Sequence, residues 1–245
     1  MSYESDSLRS IYLLFHYGSK PEILNGLGFD PGGIPEGAFH FPCATTEMSK
    51  SVGNDARVLD IGSAVGRSSF EFSKSAESVI GIDFSHSFID VAEVIRKEEA
   101  VSYSRFSEAH LGDFLEVALP ENSNPERVSF EQGDAMNLRP DLGSFDIVHA
   151  ANLLCRLPRP ADFLNRLPDL VKPGGQLIIA TPCTWLEEFT PRENQPGGKT
   201  IDFIIEHIGN EFELIEVREL PFLIREHVRK LQLSTAQTSL WRRKA

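Results

Sequence analysis

Three carboxylates stand where short apolar runs of this chain end. Asp60 lies in Val58-Leu59-Asp60-Ile61-Gly62-Ser63-Ala64-Val65-Gly66, Asp83 closes Val79-Ile80-Gly81-Ile82, and Asp134 lies in Gln132-Gly133-Asp134-Ala135. An acid ahead of a glycine turn suits a cationic ligand group such as an amine. One at the end of the next strand, here beside Phe84, can accept both hydroxyls of a ribose, and a third next to Ala135 can meet the amino group of an adenine. Gly62 and Gly66 bracket Ser63 and permit a sharp turn with close backbone approach of a ligand. A dinucleotide fingerprint needs glycine where this chain has Ala64 and Arg67, so that pattern fails. Taken singly, each acid also reads as a turn or helix-cap group. Three at successive strand ends read as one crevice, because ligands of open α/β sheets bind beyond the carboxyl ends of the strands.

A second group of side chains would face whatever reacts there. Asn152 follows Phe145 to Ala151, at the mouth of the fourth strand, and reads equally as a substrate-facing amide or a turn amide. His149, inside that strand, is a candidate catalytic group or a hydrogen-bonded core histidine. His16 ends the first helix, where it either lines the site or complements the helix dipole. Trp185, with Glu187 and Glu188, could box a small ring and hold an ammonium, or anchor a loop. Arg156 and Arg225 are candidates for a substrate carboxylate, which a guanidinium binds through two parallel hydrogen bonds, against the plainer reading of surface arginines.

The elements that must position these residues follow from periodicity. Leu8, Ile11, Tyr12 and Phe15 make one apolar stripe of a first helix. Residues 18–42, with Pro21, Pro31, Pro35, Pro42 and repeated glycines, read as a loop or lid that orders over a ligand. From Arg57 strands and helices alternate: Val58 to Ile61, a helix from Gly66, Val79 to Asp83, and a helix through Phe88, Val91, Ala92 and Ile95 capped by Ser85. Val128 to Gln132, Phe145 to Ala151, a helix through Phe163, Leu164 and Leu167, and Leu177 to Ala180 follow. A helix through Ile201, Ile204, Ile205 and Ile208 and strand-like stretches near 212–224 and 236–242 complete the pattern. The polar stretch 99–127 reads as an insertion. The expected architecture is a Rossmann-like, doubly wound α/β sheet, mostly parallel, of seven strands, with helices on both faces and an N-terminal helical extension. It is read as one domain over 1–245, with 1–56 as helix and lid, 57–182 as the cofactor-binding core and 183–245 as the substrate side.

Composition excludes several classes. With Lys and Arg numbering 24 against 36 acids, the net charge of −12 disfavours nucleic acid. No apolar run approaches the roughly 20 residues of a membrane span, and the polar start from Met1 to Ser7 does not resemble a secretory signal, so a cytoplasmic, non-membrane protein is expected. Cys43, Cys155 and Cys183 have neither disulfide-framework nor zinc spacing, and no metal is expected.

The set Asp60-x-Gly62-x-x-x-Gly66, Asp83, Gly133-Asp134-Ala135, Phe145-Asp146-Ile147-Val148 and Lys172-Pro173-Gly174-Gly175 resembles the class I S-adenosylmethionine-dependent methyltransferases. The resemblance implies that Asp60, Gly62, Ser63 and Gly66 serve the methionine end, Asp83 with Phe84 the ribose side, and Asp134 with Ala135 the adenine. S-adenosylhomocysteine would be the product. A narrower likeness spans almost the whole chain: Tyr3-Glu4-Ser5-Asp6, Tyr12-Leu13-Leu14-Phe15-His16-Tyr17-Gly18, Phe41-Pro42, Thr184 to Pro191 and Ser239-Leu240-Trp241-Arg242-Arg243 are similar to the thiohistidine N-methyltransferases of ovothiol biosynthesis. That likeness implies 5-thiohistidine as substrate, a sulfoxide synthase as functional partner, and Tyr12, His16, Asn152, Arg156, Trp185, Glu187 and Arg225 on the substrate side. The reaction would move a methyl from sulfonium to an imidazole nitrogen, with the ring sulfur turned away and held by donors such as Asn152 or a tyrosine hydroxyl. A methyltransferase for another small molecule, and a cofactor-binding protein without turnover, are the competing readings.

Overall fold

The computed structural model describes residues 4–50, 53–109 and 111–245; Tyr3 of the resemblance lies outside them. The chain opens with α1 (Asp6–Tyr17), α2 (Lys20–Leu24) and α3 (Phe41–Thr46), then runs β1 (Arg57–Ile61), α4 (Arg67–Ser73), β2 (Ser78–Asp83) and α5 (His86–Arg96). A hairpin of β3 (Ser102–Glu108) and β4 (Leu111–Glu116) precedes β5 (Val128–Gln132), β6 (Phe145–Ala151), α6 (Pro160–Leu170), β7 (Val171–Thr181), α7 (Thr200–Ile208), β8 (Phe212–His227) and β9 (Lys230–Arg243). Seven strands form one sheet in the order β5-β2-β1-β6-β7-β9-β8, with β9 antiparallel to both neighbours. The other pairings, from β5 across to β7, are parallel.

Strand side chains alternate between two apolar layers. Val58, Val79, Ile147 and Ile178 pack with Leu13 and Leu14 of α1, Phe70 of α4 and Phe88 of α5. Leu59, Ile61, Val148 and Ile179 pack with Phe163 and Leu167 of α6 and Ile204 of α7. Both faces of the central strands are thus covered, which is why those strands read as nearly continuous apolar runs. The winding reverses between β1 and β6, so the crevice beyond their carboxyl ends is where such a sheet receives a ligand. Among the described residues no helix is long and apolar enough to cross a membrane.

Three sequence expectations change. The 18–42 segment is not a plain loop. Ser19 and Glu22 form a reciprocal capping box that starts α2 with Pro21 in its first turn, and Ile23, Phe39 and Phe41 are buried. Only 25–37 is largely exposed. The 99–127 insertion contains the β3–β4 hairpin, whose inward positions include the buried Arg105, a residue that hides the alternation of apolar and polar side chains. The C-terminal strands are longer than expected: β9 pairs with β7 only through Gln237 to Arg242, and beyond that the β8–β9 ribbon projects past the sheet.

Candidate active site

On the nucleotide side the geometry comes from backbone turns. Gly62 and Ser63 donate their N–H groups to the Ile82 carbonyl at 2.7 and 3.0 Å, continuing the β1–β2 pairing into the turn. Gly62 (φ 77°) and Gly66 (φ 87°) occupy the left-handed region, and a Cβ on Gly66 would stand 2.5 Å from the Phe130 ring. Asp83 accepts the Ala64 N–H on Oδ2 at 2.8 Å and the Ser85 N–H on Oδ1 at 2.9 Å. Each oxygen keeps a free lone pair. Burial raises the Asp83 carboxyl to about pH 6 despite those two amides, and the nearby Asp60 charge adds to the effect. The ring of Phe84 beside it is 68% exposed. Gly133 donates its N–H to the Asp83 carbonyl at 2.9 Å, which brings the exposed Asp134 to the next position along the rim, where its Oδ1 caps the Met136 N–H.

Asp60 sits one layer lower than its expected role requires. Its relative exposure is 1%, its Oδ1 pairs with Nδ1 of His149 at 2.8 Å, and its Oδ2 accepts the Ser69 hydroxyl at 2.7 Å. β1 and β6 place residues 60 and 149 side by side on one face, beneath α4, where Phe72 meets the imidazole edge-on at 5.4 Å. The acid ahead of the glycines therefore orients a histidine inside the protein.

The opposite side of the crevice is assembled from distant segments. Phe15, Phe41 and Phe222 pack with Ala180 and Ala236, the Phe41 and Phe222 centroids 5.0 Å apart, with Ala151 and Ile224 against them. This apolar cluster covers the ends of β6 and β7. Asn152 leaves β6 at φ 54°, held by its N–H to the Ala180 carbonyl at 2.7 Å. Ala64 and Cys183 also have positive φ, so the ends of β1, β6 and β7 each carry a non-glycine residue in a strained conformation, a feature that gathers at binding sites. Leu153 lies 3.3 Å from where a Cβ on Gly62 would be, so the turns after β1 and β6 touch. His16 is stacked on Tyr12 with ring centroids 5.9 Å apart, and burial beside Arg67 lowers its imidazole to about pH 3. It stays neutral.

The remaining candidates lie elsewhere. Trp185 donates its indole N–H to Thr200 Oγ1 at 3.0 Å and packs against Phe203 of α7, which makes it an anchor of the following loop; Glu187 is exposed to solvent. The Arg156 guanidinium rests 4.5 Å over the Phe189 ring. Arg225 is buried and donates through Nη1 to the carbonyls of Ile23 and Asn25 at 2.6 and 2.7 Å, so it fastens α2 to the β8–β9 ribbon. The alternation along β8 sends Phe222 and Ile224 toward the aromatic cluster and Arg225 the other way.

Two residues outside the candidates turn out to tie the halves together. Arg67 donates to the His16 carbonyl at 3.1 Å, pairs with Glu71 at 2.8 Å and lies over the Tyr17 ring, while Tyr17 donates its hydroxyl to the Val65 carbonyl at 2.8 Å. The end of α1 is thereby fixed to the glycine turn. The arginine at the place where the dinucleotide fingerprint needs glycine was the available clue.

Among the described residues, five buried side-chain polar atoms lack a partner: His16 Nδ1, Ser63 Oγ, His149 Nε2, Asn152 Oδ1 and Arg225 Nε. The first four gather about the ends of β1 and β6, where a ligand would satisfy those it reaches. With the open lone pairs of Asp83, the exposed Phe84 ring and the rim acid Asp134, the turn at Gly62 to Gly66 fits an adenosyl amino-acid cofactor.

The methyltransferase domain family matches residues 38–230. This chain belongs to that family. The methyltransferase has the strand order and glycine turn of the class I, S-adenosylmethionine-dependent type. It is 34% identical over 82 residues to methyltransferase str2 of Strobilurus tenacellus, covering 33% of this chain and 30% of that protein. It is 29% identical over 125 residues to a ubiquinone biosynthesis O-methyltransferase of Ralstonia nicotianae, covering 51% and 42%. These alignments thus span under half the length of either relative. In fold it is similar to the N-methyltransferase NodS of Bradyrhizobium japonicum in complex with S-adenosylhomocysteine, with a TM-score of 0.56, 14% identity and coverage of 98% and 100%. It is also similar to the [4+2]-cyclase SpnF, with a TM-score of 0.59, 14% identity and coverage of 100% and 97%.

Proposed function

We propose that this methyltransferase transfers the methyl group of S-adenosylmethionine to an imidazole nitrogen of 5-thiohistidine, forming ovothiol A. The observation that carries the reading is the aromatic cluster of Phe15, Phe41 and Phe222 over the ends of β6 and β7, with unpartnered, uncharged polar atoms on His16, which follows Phe15, and on Asn152, which follows β6. Such surroundings suit a small heteroaromatic ring. The likeness of the N-terminal helix and C-terminal strand to thiohistidine N-methyltransferases adds the ring's identity.

When bound, the cofactor supplies a methyl on a positively charged sulfur with a good leaving group. The protein's share is then alignment, worth effective molarities of about 10⁵ M or more in well-oriented reactions. Asp83, through its open lone pairs, would hold the ribose, while the turn at Gly62 to Gly66 lets the ligand approach the backbone. The neutral His16 puts no second positive charge beside a sulfonium. A ring nitrogen already offers a lone pair, so no strong base is needed. The ring sulfur is the better intrinsic nucleophile, and positioning must turn it away. Tyr17 is not free to hold it, because its hydroxyl is committed to Val65. A sulfoxide synthase would supply the thiolated substrate.

Quinone-precursor O-methylation, the chemistry in the names of some relatives, calls for deprotonating a phenol. His16, lowered to about pH 3, is a poor base for that. The test is incubation of purified protein and labelled cofactor with 5-thiohistidine and with a phenol panel, the methyl located by NMR. N-methyl thiohistidine as the dominant product is expected; S-methyl product or preference for a phenol overturns the reading.

A further inference from the structure

We infer that Asn152 determines which ring nitrogen is methylated, by accepting the N–H of the nitrogen that must not react. The inference rests on the substrate reading above and assigns the residue a role opposite to the donor role its position first suggests.

An imidazole presents one nitrogen with a lone pair and one with a proton, and the two forms interconvert readily in water. Transfer needs the lone pair on the nitrogen that faces the methyl. The proton must then sit on the other nitrogen. A fixed acceptor at that second position selects the reactive form, whereas a fixed donor there would select the unreactive one. The buried, unpartnered atom of Asn152 is its oxygen, Oδ1, an acceptor without a proton of its own. The backbone that carries it is held at φ 54° by the 2.7 Å bond from its N–H to the Ala180 carbonyl, which fixes the point from which the side chain departs. Asparagine is among the residues that tolerate this conformation.

Among the described residues Asn152 Oδ1 has no hydrogen-bond partner, and the donors at the glycine turn are engaged elsewhere: Arg67 with Glu71, the His16 carbonyl and Cys43. The hydroxyl of Tyr17 is bonded to Val65. In the transfer itself the ring nitrogen's electron pair forms the N–C bond as the C–S bond breaks, with that bond's pair leaving on sulfur. The ring becomes a cation whose remaining N–H still points at Oδ1, and that proton passes to solvent water on product release.

The test compares Asn152→Gly, which keeps the backbone conformation and removes the acceptor, with Asn152→Asp, which keeps both. The ratio of the two N-methyl isomers is read by NMR after reaction with 5-thiohistidine, alongside S-adenosylhomocysteine binding by calorimetry. The wild type is expected to give one isomer, as is Asn152→Asp. Asn152→Gly is expected to give a mixture and to lose about tenfold or more in kcat/KM, with cofactor affinity unchanged. A single isomer from Asn152→Gly at near wild-type kcat/KM overturns the inference alone. Absence of any N-methyl thiohistidine from the wild type overturns the substrate reading and this inference together.

Discussion

The two sides of the crevice are built on different principles. The nucleotide side, from β1 to the turn after β5, uses contiguous stretches in which backbone amides do most of the holding: Ile82 receives the turn at Gly62, and Asp83 receives Ala64 and Ser85. The opposite side borrows α1, the residues around Phe41 and the far end of β8, which meet only through tertiary packing. A side made of local turns can be kept while the other is rebuilt from distant segments of the chain.

The sharpest way to break this contrast is Gly66→Ala. The new Cβ meets Phe130 in a left-handed backbone, and strain and overpacking are each worth about 1–3 kcal/mol, so a loss of about 2–6 kcal/mol is expected in denaturant titration. Stability within 1 kcal/mol of wild type would mean that the turn is looser than described. Next is Asp83→Ala, which removes the carboxylate proposed to hold the ribose and should weaken S-adenosylhomocysteine binding by about 1–3 kcal/mol. In the wild type that affinity should fall as pH drops through about 6, because the protonated carboxyl is a poorer acceptor, and Asp83→Asn should flatten the fall. Calorimetry between pH 5 and pH 8 checks both.

Arg225→Met addresses the other side. It strands the carbonyls of Ile23 and Asn25, a cost of about 1–3 kcal/mol, and should speed proteolysis within 25–37 while leaving cofactor affinity untouched. If cofactor binding fell in step, the two sides would not be separable. The smallest effect concerns His16. Its folded value of about 3 lies below the ordinary 6.5, so the unfolded chain binds the extra proton between those values. The contribution is complete above 6.5 and is lost as pH falls toward 3. His16→Gln should therefore show a shallower acid decline in stability over that window.

How much of this was legible in the residues follows the same division. The strand end at Asp83, the turn at Gly62 and Gly66 and the cap at Ser85 read from short windows, because strand periodicity and turn chemistry act within a few residues of one another. Asp60 reads correctly as a residue of β1 but not as the buried partner of His149, since nothing in its own neighbourhood reveals that this histidine, from a strand far along the chain, lies beside it. Arg225 and Trp185 carry the types of side chain that bind ligands, yet one holds helix carbonyls and the other a threonine hydroxyl. The capping box of Ser19 and Glu22 was readable and was masked by the count of glycines and prolines around it.

The grip of Arg225 on the carbonyls near residue 23 has a temporal consequence. During synthesis, the segment from β1 to the turn at Asp134 emerges well before β8, so Phe15 and Phe41 wait for Phe222 to complete the aromatic cluster. A nascent molecule would thus own a nucleotide shelf before the far wall of the crevice exists, and its opening helices must stay tethered yet unsealed until the β8–β9 ribbon arrives to clasp them.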